Sequence, residues 1–297
     1  MSILAISSEV GSIEIFETQS FTCINKIEQK DKEKIECLCF SNDNSKIAFY
    51  YKNIIKIYNV VTSELLNQIE NDINLVAISF NYDSTLLFST CEQCIFKIWD
   101  INTSICLNSF TFDDYRINTN RIKFSLDKTK FIYVHGDGSV KVWDINTNSM
   151  IINLGPDCTC TCAISHDNNL IITGSIDKKV RILNMNGVCL HKFKHDNTIF
   201  SVSFNHDSTL AISDSRVLFK VWNVETGLCL YEVFKYITYI SFNNDDSNLI
   251  VSVSKTYKGE KLTFWDIKEK LPLAKIKLDR CEVTSLTFSC KEFGSYI

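Results

Sequence analysis

The sequence predicts an all-β protein assembled from one short unit repeated along the chain. Three observations carry this. The phrase Val140-Lys141-Val142-Trp143-Asp144 alternates apolar and long-chain residues with period two. That is the pattern of a strand packed on both faces, with the lysine stem lying along one face and its charge reaching water. The phrase then recurs, almost unchanged, at Ile95 to Asp100, Leu218 to Asn223 and Ile54 to Asn59, and more weakly at Leu183-Asn184, Trp265-Asp266 and Phe16-Glu17. Trp99, Trp143, Trp222 and Trp265, all the tryptophans of the chain, hold this one position. Finally, the closing residues Phe16, Tyr58, Trp99, Trp143, Leu183, Trp222 and Trp265 follow one another about every 40 residues, the length of a four-strand repeat.

Taken in order, the N-terminus supplies a second strand (Ile3 to Ser7), a third (Ser12 to Phe16) and a fourth (Cys23 to Ile27), but no first strand. Six complete units then run from about Ile35 to Leu278. Five of the six open on an apolar-x-apolar-x-Phe strand, at Ile35 to Phe40, Val76 to Phe80, Ile122 to Phe124, Phe200 to Phe204 and Ile240 to Phe242. A polar turn such as Asn81-Tyr82-Asp83-Ser84 or Ser165-His166-Asp167-Asn168 follows, rich in residues that tolerate left-handed geometry and bond their own backbone. The second strand is apolar (Lys46 to Tyr50, Leu86 to Thr90, Leu210 to Ser213), the third is the recurring phrase, and the fourth often enters on Cys-Leu, as at 106–107, 189–190 and 229–230. After the sixth unit, Val283 to Ser289 matches the first-strand pattern. Joined to the N-terminal strands it makes a seventh unit and removes open sheet edges. Residues 291–297 resemble a polar turn and the start of another second strand, and read as a native tail or, alternatively, as the cut end of a longer repeat array.

The closing pair, an aromatic or Leu183 followed by an acid or Asn, is repeated seven times in register and resembles the WD-repeat family over essentially the whole chain. The resemblance implies a seven-bladed β-propeller of four-stranded antiparallel blades, one domain over 1–297, with blade 1 formed by about 1–28 plus about 282–289. It also implies a buried set of four residues in each blade: a His before the first strand, a Ser or Thr on the second, an Asp in the turn that follows, and the third-strand Trp. No blade keeps all four. Asp177 follows Thr173-Gly174-Ser175-Ile176, but Leu183 stands in place of Trp. Asp137 accompanies Trp143 without the His. His195 accompanies Ser213 and Trp222, but Arg216 holds the turn position. The half-kept set leaves polar groups needing other partners. Asp100, Asp144 and Asp266 complete the repeat positions.

Composition is that of an ordinary globular chain: 45% hydrophobic, 22% charged, and a formal charge of −4, too small to argue for nucleic acid. No run approaches a membrane span, and the start carries no basic leader. With 13 cysteines and no export signal, free thiols in a cytoplasmic or nuclear setting, and not a secreted one, are expected. Cys158, Cys160 and Cys162 read as one face of a strand, and Cys91 with Cys94 as an exposed loop pair. Neither supplies the four converging ligands zinc needs, so no metal and no cofactor are expected. The five histidines are scattered, and no glycine-rich phosphate loop occurs. Lys56, Lys97, Lys141, Arg181 and Lys220, two before the aromatic, are packing positions and form no nucleic-acid stripe.

What remains is loop surface. The resemblance implies a top face, built from the loops after the second and fourth strands, that binds proteins or peptides. The aromatic, His and Arg anchors available there are Tyr51, Tyr115, Arg116, Arg121, His135, Arg216, Tyr257 and Arg280. The reading is a non-enzymatic protein-interaction scaffold. Its alternatives are a recognition or structural subunit of a ubiquitin-ligase, trafficking or RNP complex, and, from another class, a propeller enzyme.

Overall fold

The repeat dictates the architecture. In a computed structural model describing residues 2–71, 74–91, 93–112, 122–155, 158–243, 248–256, 259–278 and 282–289, every regular element is a strand. In chain order these are β1 (Ile3–Ser8), β2 (Ser12–Glu17) and β3 (Thr22–Glu28), then β4 (Cys37–Phe40), β5 (Lys46–Tyr51), β6 (Ile54–Asn59) and β7 (Leu65–Glu70). Next come β8 (Leu75–Phe80), β9 (Leu86–Cys91), β10 (Ile95–Asp100) and β11 (Cys106–Thr111), then β12 (Lys123–Phe124), β13 (Lys130–Val134), β14 (Val140–Asp144) and β15 (Ser149–Leu154). They are followed by β16 (Thr159–Ile164), β17 (Leu170–Ser175), β18 (Lys179–Asn184) and β19 (Cys189–Lys194), and by β20 (Ser201–Phe204), β21 (Leu210–Asp214), β22 (Leu218–Asn223) and β23 (Cys229–Phe234). The last are β24 (Tyr239–Phe242), β25 (Leu249–Thr256), β26 (Gly259–Asp266), β27 (Leu271–Lys277) and β28 (Val283–Phe288).

These strands form seven four-stranded antiparallel sheets, the blades of a β-propeller. Blade 1 has the order β28-β1-β2-β3, so both ends of the chain share it, with Leu4 opposite Phe288 and Ile6 opposite Leu286. Ser289 extends the join, its N–H donating to the Ile3 carbonyl and its Oγ accepting from the Ile3 N–H. Blades 2 to 7 take their strands consecutively. Compactness divides the chain into two units: Met1–Asp114 with Cys281–Ile297, holding blades 1 to 3, and Tyr115–Arg280, holding blades 4 to 7. Within each unit, facing blades share apolar clusters. Ala48, Ile57, Phe80 and Trp99 join blades 2 and 3, and Phe193, Ile199, Phe204 and Trp222 join blades 5 and 6.

One irregularity repeats in every blade. The pairing of the third and fourth strands slips by one residue immediately before the closing aromatic or leucine: Ile15/Phe16, Ile57/Tyr58, Ile98/Trp99, Val142/Trp143, Ile182/Leu183, Val221/Trp222 and Phe264/Trp265. A bulge adds local twist and re-aims the next side chain. In five blades that side chain packs into a cluster shared with the preceding blade: Tyr58, Trp99, Leu183, Trp222 and Trp265. Phe16, Trp99, Leu183, Trp222 and Trp265 are buried; Tyr58 and Trp143 are only half-buried. Trp143, expected deep between blades, therefore keeps part of its indole at the surface. The polar turns after the first strands behave as predicted, with Asn44, Ser84, Lys128, Asn168 and Ser208 all left-handed.

Other expectations need correcting. Cys91 and Cys94 are not an exposed pair: both are buried, because the Cys94 N–H closes a tight turn onto the Cys91 carbonyl with Cys94 left-handed. The three thiols at 158–162 do not line one face either. Cys158 precedes the strand in a left-handed conformation, and the β16–β17 register slips between Thr159 and Thr161. Phe200 stands one residue before its strand.

Candidate interaction surface

The family position before the first strand decides what happens to the polar set within each blade. In blade 6 that position is His195, 1% exposed, whose Nε2 lies 2.6 Å from Ser213 Oγ; the same hydroxyl accepts from Trp222 Nε1 at 2.8 Å. Phe193 stacks on the indole at 4.4 Å. Burial, with Lys220 nearby, pushes the His195 pKa down to about 4, so the ring is neutral at pH 7. A serine beside a histidine invites a nucleophile reading, but Ser213 is 0% exposed and shared with an indole, so no substrate reaches it. In blades 3 and 7 the serine-indole bond recurs, from Trp99 to Ser89 and from Trp265 to Ser252, each 2.8 Å. Where the His is missing, third-strand lysines find a neutral partner instead: Lys56 Nζ donates to Gln29 Oε1 at 2.9 Å, and Lys97 Nζ to Asn71 Oδ1 at 3.0 Å. The lysines also sit over aromatic rings, Lys97 over Trp99 at 5.2 Å and Lys220 over Trp222 at 5.7 Å. The half-kept set is thus completed by the packing lysines.

Two stretches of the chain match known family models. Residues 1–82 match the anaphase-promoting complex subunit 4 WD40 domain, and residues 152–184 match the WD domain, G-beta repeat. Both models are of WD repeats. Among curated relatives, apoptotic protease-activating factor 1 of Homo sapiens is 26% identical over 217 residues, covering 69% of this chain and 17% of that protein. The putative BTB/POZ domain-containing protein L788 of Acanthamoeba polyphaga mimivirus is 30% identical over 81 residues, 25% of this chain and 16% of that protein. The chain thus spans about a sixth of the length of these relatives.

In this chain the predicted anchors fall unevenly. Tyr115, Arg116, Arg121, Tyr257 and Arg280 lie outside the described residues. Tyr51 is not a loop residue: it ends β5 with its ring 3% exposed beneath the Lys56 ammonium, because the hairpin turns only after it. His135 turns onto its own loop, Nδ1 2.8 Å from Asp137 Oδ1. Bonds from Ser139 and then His135 hold Asp137 well below the usual carboxylate range. Asp177 is likewise committed within its blade. Burial pushes its carboxyl up, but Arg181, Ser175 and Lys179 outweigh this and hold it low, with Arg181 Nη2 2.6 Å from Oδ2. Among the predicted anchors within the described residues, Arg216 presents itself to solvent.

Around Arg216 the loops of blades 5, 6 and 7, all in the second unit, build a continuous patch. Gly174 lets the loop before β20 approach closely: a Cβ there would stand 2.5 Å from Ile199 Cγ2. Ile199 N–H donates to the Ser175 carbonyl, which places Phe200 beside Ile176. Arg216 is left-handed, its N–H on Asp214 Oδ1 at 3.0 Å, and its guanidinium lies 4.1 Å over the Phe200 ring. On the far side, the Ile237 N–H binds the Arg216 carbonyl and the Lys235 N–H binds the Val217 carbonyl, bringing Tyr236 alongside. Ile176, Phe200, Val217 and Tyr236 are exposed at 61%, 46%, 44% and 51%. At its edge Asp214, 2% exposed, has its pKa raised to about 7 by burial, against the pull of the Arg216 N–H and charge.

Sequence reasoning found Arg216 and missed the other four. Phe200 was absorbed into a strand pattern that it precedes by one residue. Tyr236 sits in a short loop with no motif of its own, and Ile176 lies inside the family turn Thr173 to Asp177, where attention falls on the acid. A sharper signal was available, since large apolar residues inside loops of a repeat have no core to fill.

Proposed function

We propose that this chain is a non-enzymatic protein-interaction scaffold and that the patch of Ile176, Phe200, Arg216, Val217 and Tyr236 is its docking surface. The observation that carries the reading is the exposed Phe200 ring with the Arg216 guanidinium stacked upon it. Aromatic and arginine side chains, held rigid before binding, are the residue types that dominate interface energetics. No hydrogen bond or ion pair from the described residues engages the guanidinium, so its N–H groups are open to a carboxylate on a partner. The WD-repeat family supports protein binding in general, and the exposed, preorganised patch supports the reading that partners dock here.

The test is affinity capture with the full chain, followed by Phe200→Ala and Arg216→Ala. Each should weaken the captured partner by about 1–2 kcal/mol while moving the unfolding midpoint little, since both side chains are exposed. Undiminished capture by both variants would remove the patch from the reading. A second reading, a fixed subunit of one multi-protein assembly, is supported by the match of residues 1–82 to a domain named for a complex subunit. Co-elution in stable stoichiometry would distinguish it.

A further inference from the structure

The third strand of each blade places a residue two before its closing aromatic, and the register gives it a fixed neighbour on the fourth strand. Lys56 faces Gln68, Lys97 faces Ser109, Lys141 faces Asn153, Arg181 faces Lys192 and Lys220 faces Glu232. Where two charges meet they are balanced: Lys220 binds Glu232 at 3.2 Å, and Arg181 is held by Asp177. Blade 7 breaks this rule. Its third-strand residue is Thr263, the lysine has moved to the preceding loop as Lys235, and the neighbour on the fourth strand is Lys275. Lys235 Nζ donates to Thr263 Oγ1 at 3.0 Å and sits 4.9 Å over the Trp265 ring, so the ammonium is fixed in place. Lys261, two residues before Thr263, lies on the same sheet face and is paired with Lys277.

Register thus places Lys261, Lys275 and Lys277 on one face of β26 and β27, and Lys261 and Lys275 lie close enough to Lys235 to act on its charge. Among the described residues no carboxylate lies within ion-pair distance of any of them. The adjacent acids are turned elsewhere: Glu232 is bound to Lys220, and Glu260, next to Lys261, is buried on the opposite face in register with Lys255. Like charges directly opposite one another across strands are destabilising. The chain as a whole is acidic, at −4, so this is a local concentration of positive charge and not a general one. Burial first, and then Lys261 and Lys275, push the Lys235 pKa down to about 8, an effect that a bound anion would reverse.

We propose that Lys235, Lys261, Lys275 and Lys277 form a binding site for a phosphomonoester dianion. A pinned ammonium with two or three mobile ones around it supplies several charge-assisted donors to the phosphate oxygens. The site stands independently of the docking patch, although Lys235 borders it.

Titration calorimetry on the full chain at low ionic strength tests this, with inorganic phosphate, inositol hexakisphosphate, and a phosphothreonine peptide beside its unphosphorylated twin. Saturable binding of a phosphate probe is expected. It should weaken about fivefold to tenfold in Lys275→Gln or Lys261→Gln, as loss of one charged donor does. It should persist in Lys192→Gln, which removes the lysine at the equivalent register of blade 5, and in Arg216→Ala, which disables the docking patch alone. Both target side chains are at least partly exposed, so folding should survive, and a thermal melt checks it. Tighter binding of the phosphopeptide would make the ligand partner-borne, and tighter binding of a small phosphate would make it a free metabolite; both uphold the site. Absence of binding by every phosphate probe, or equal weakening by Lys192→Gln and Lys275→Gln, would overturn it.

Discussion

Asp100, Asp144 and Asp266 do the same work as Asn59, Asn184 and Asn223. In each the side-chain Oδ1 accepts backbone N–H groups two to four residues on, as from Asn102 and Thr103 to Asp100, and from Val61 and Thr62 to Asn59. The charge of the repeat's terminal acid is dispensable, whereas its acceptor is not, which is why Asp and Asn alternate there. The serine-indole bond is different, being buried and shared. Ser213→Ala leaves the Trp222 N–H without its acceptor and removes the His195 contact. It should cost about 1–3 kcal/mol in urea unfolding, and Trp143→Phe, on a half-exposed indole, clearly less. Asp214 gives a pH signature. Its folded pKa, about 7, lies above its unfolded one, so its contribution to stability is complete at low pH and is lost as pH rises through 7. Asp214→Asn should therefore gain on the parent between pH 5 and pH 8, by up to a few kcal/mol. Unfolding midpoints at both pH values check this, and parallel curves would refute it.

Among elements, the strands were largely legible because period-two alternation and the Asp/Asn turns are written locally. The bulge before each closing aromatic was not. It depends on the pairing of two strands, and the fourth strands carry little pattern of their own, with burial in β11 reading almost wholly exposed. Loop residues were the least legible, because Tyr51 and Phe200 differ from the expected placement by a single residue at a strand end, and one residue reverses a side chain's face. The role of β28 was readable from its pattern and has a direct consequence. Deleting residues 282–297 uncovers the edge of β1, along with buried Leu4, Ala5 and Ile6. The expected result is a broadened thermal transition and concentration-dependent aggregation by light scattering. A monomeric deletion variant with an unchanged melting temperature would contradict it.

At the scale of the whole molecule, the repeat number and blade composition followed from seven copies of one phrase, whereas the patch at Arg216 and the lysines of blade 7 did not. Both are departures from the repeat, and a reading built on what recurs passes over what occurs once. Surfaces on a repeat scaffold are made of such exceptions, since the shared positions are occupied by packing.

The sheet β28-β1-β2-β3 also sets an order of events during synthesis. β1 leaves the ribosome well before β28, which follows some 275 positions later, from Ser8 to Val283. At about 5–20 residues per second the first strands wait on the order of 15–60 s for that partner. Blades 4 to 7, contiguous in sequence, can meanwhile fold as they emerge. The nascent chain thus carries an unfinished first blade until β28 has emerged, and this interval is when a holding chaperone would have its effect.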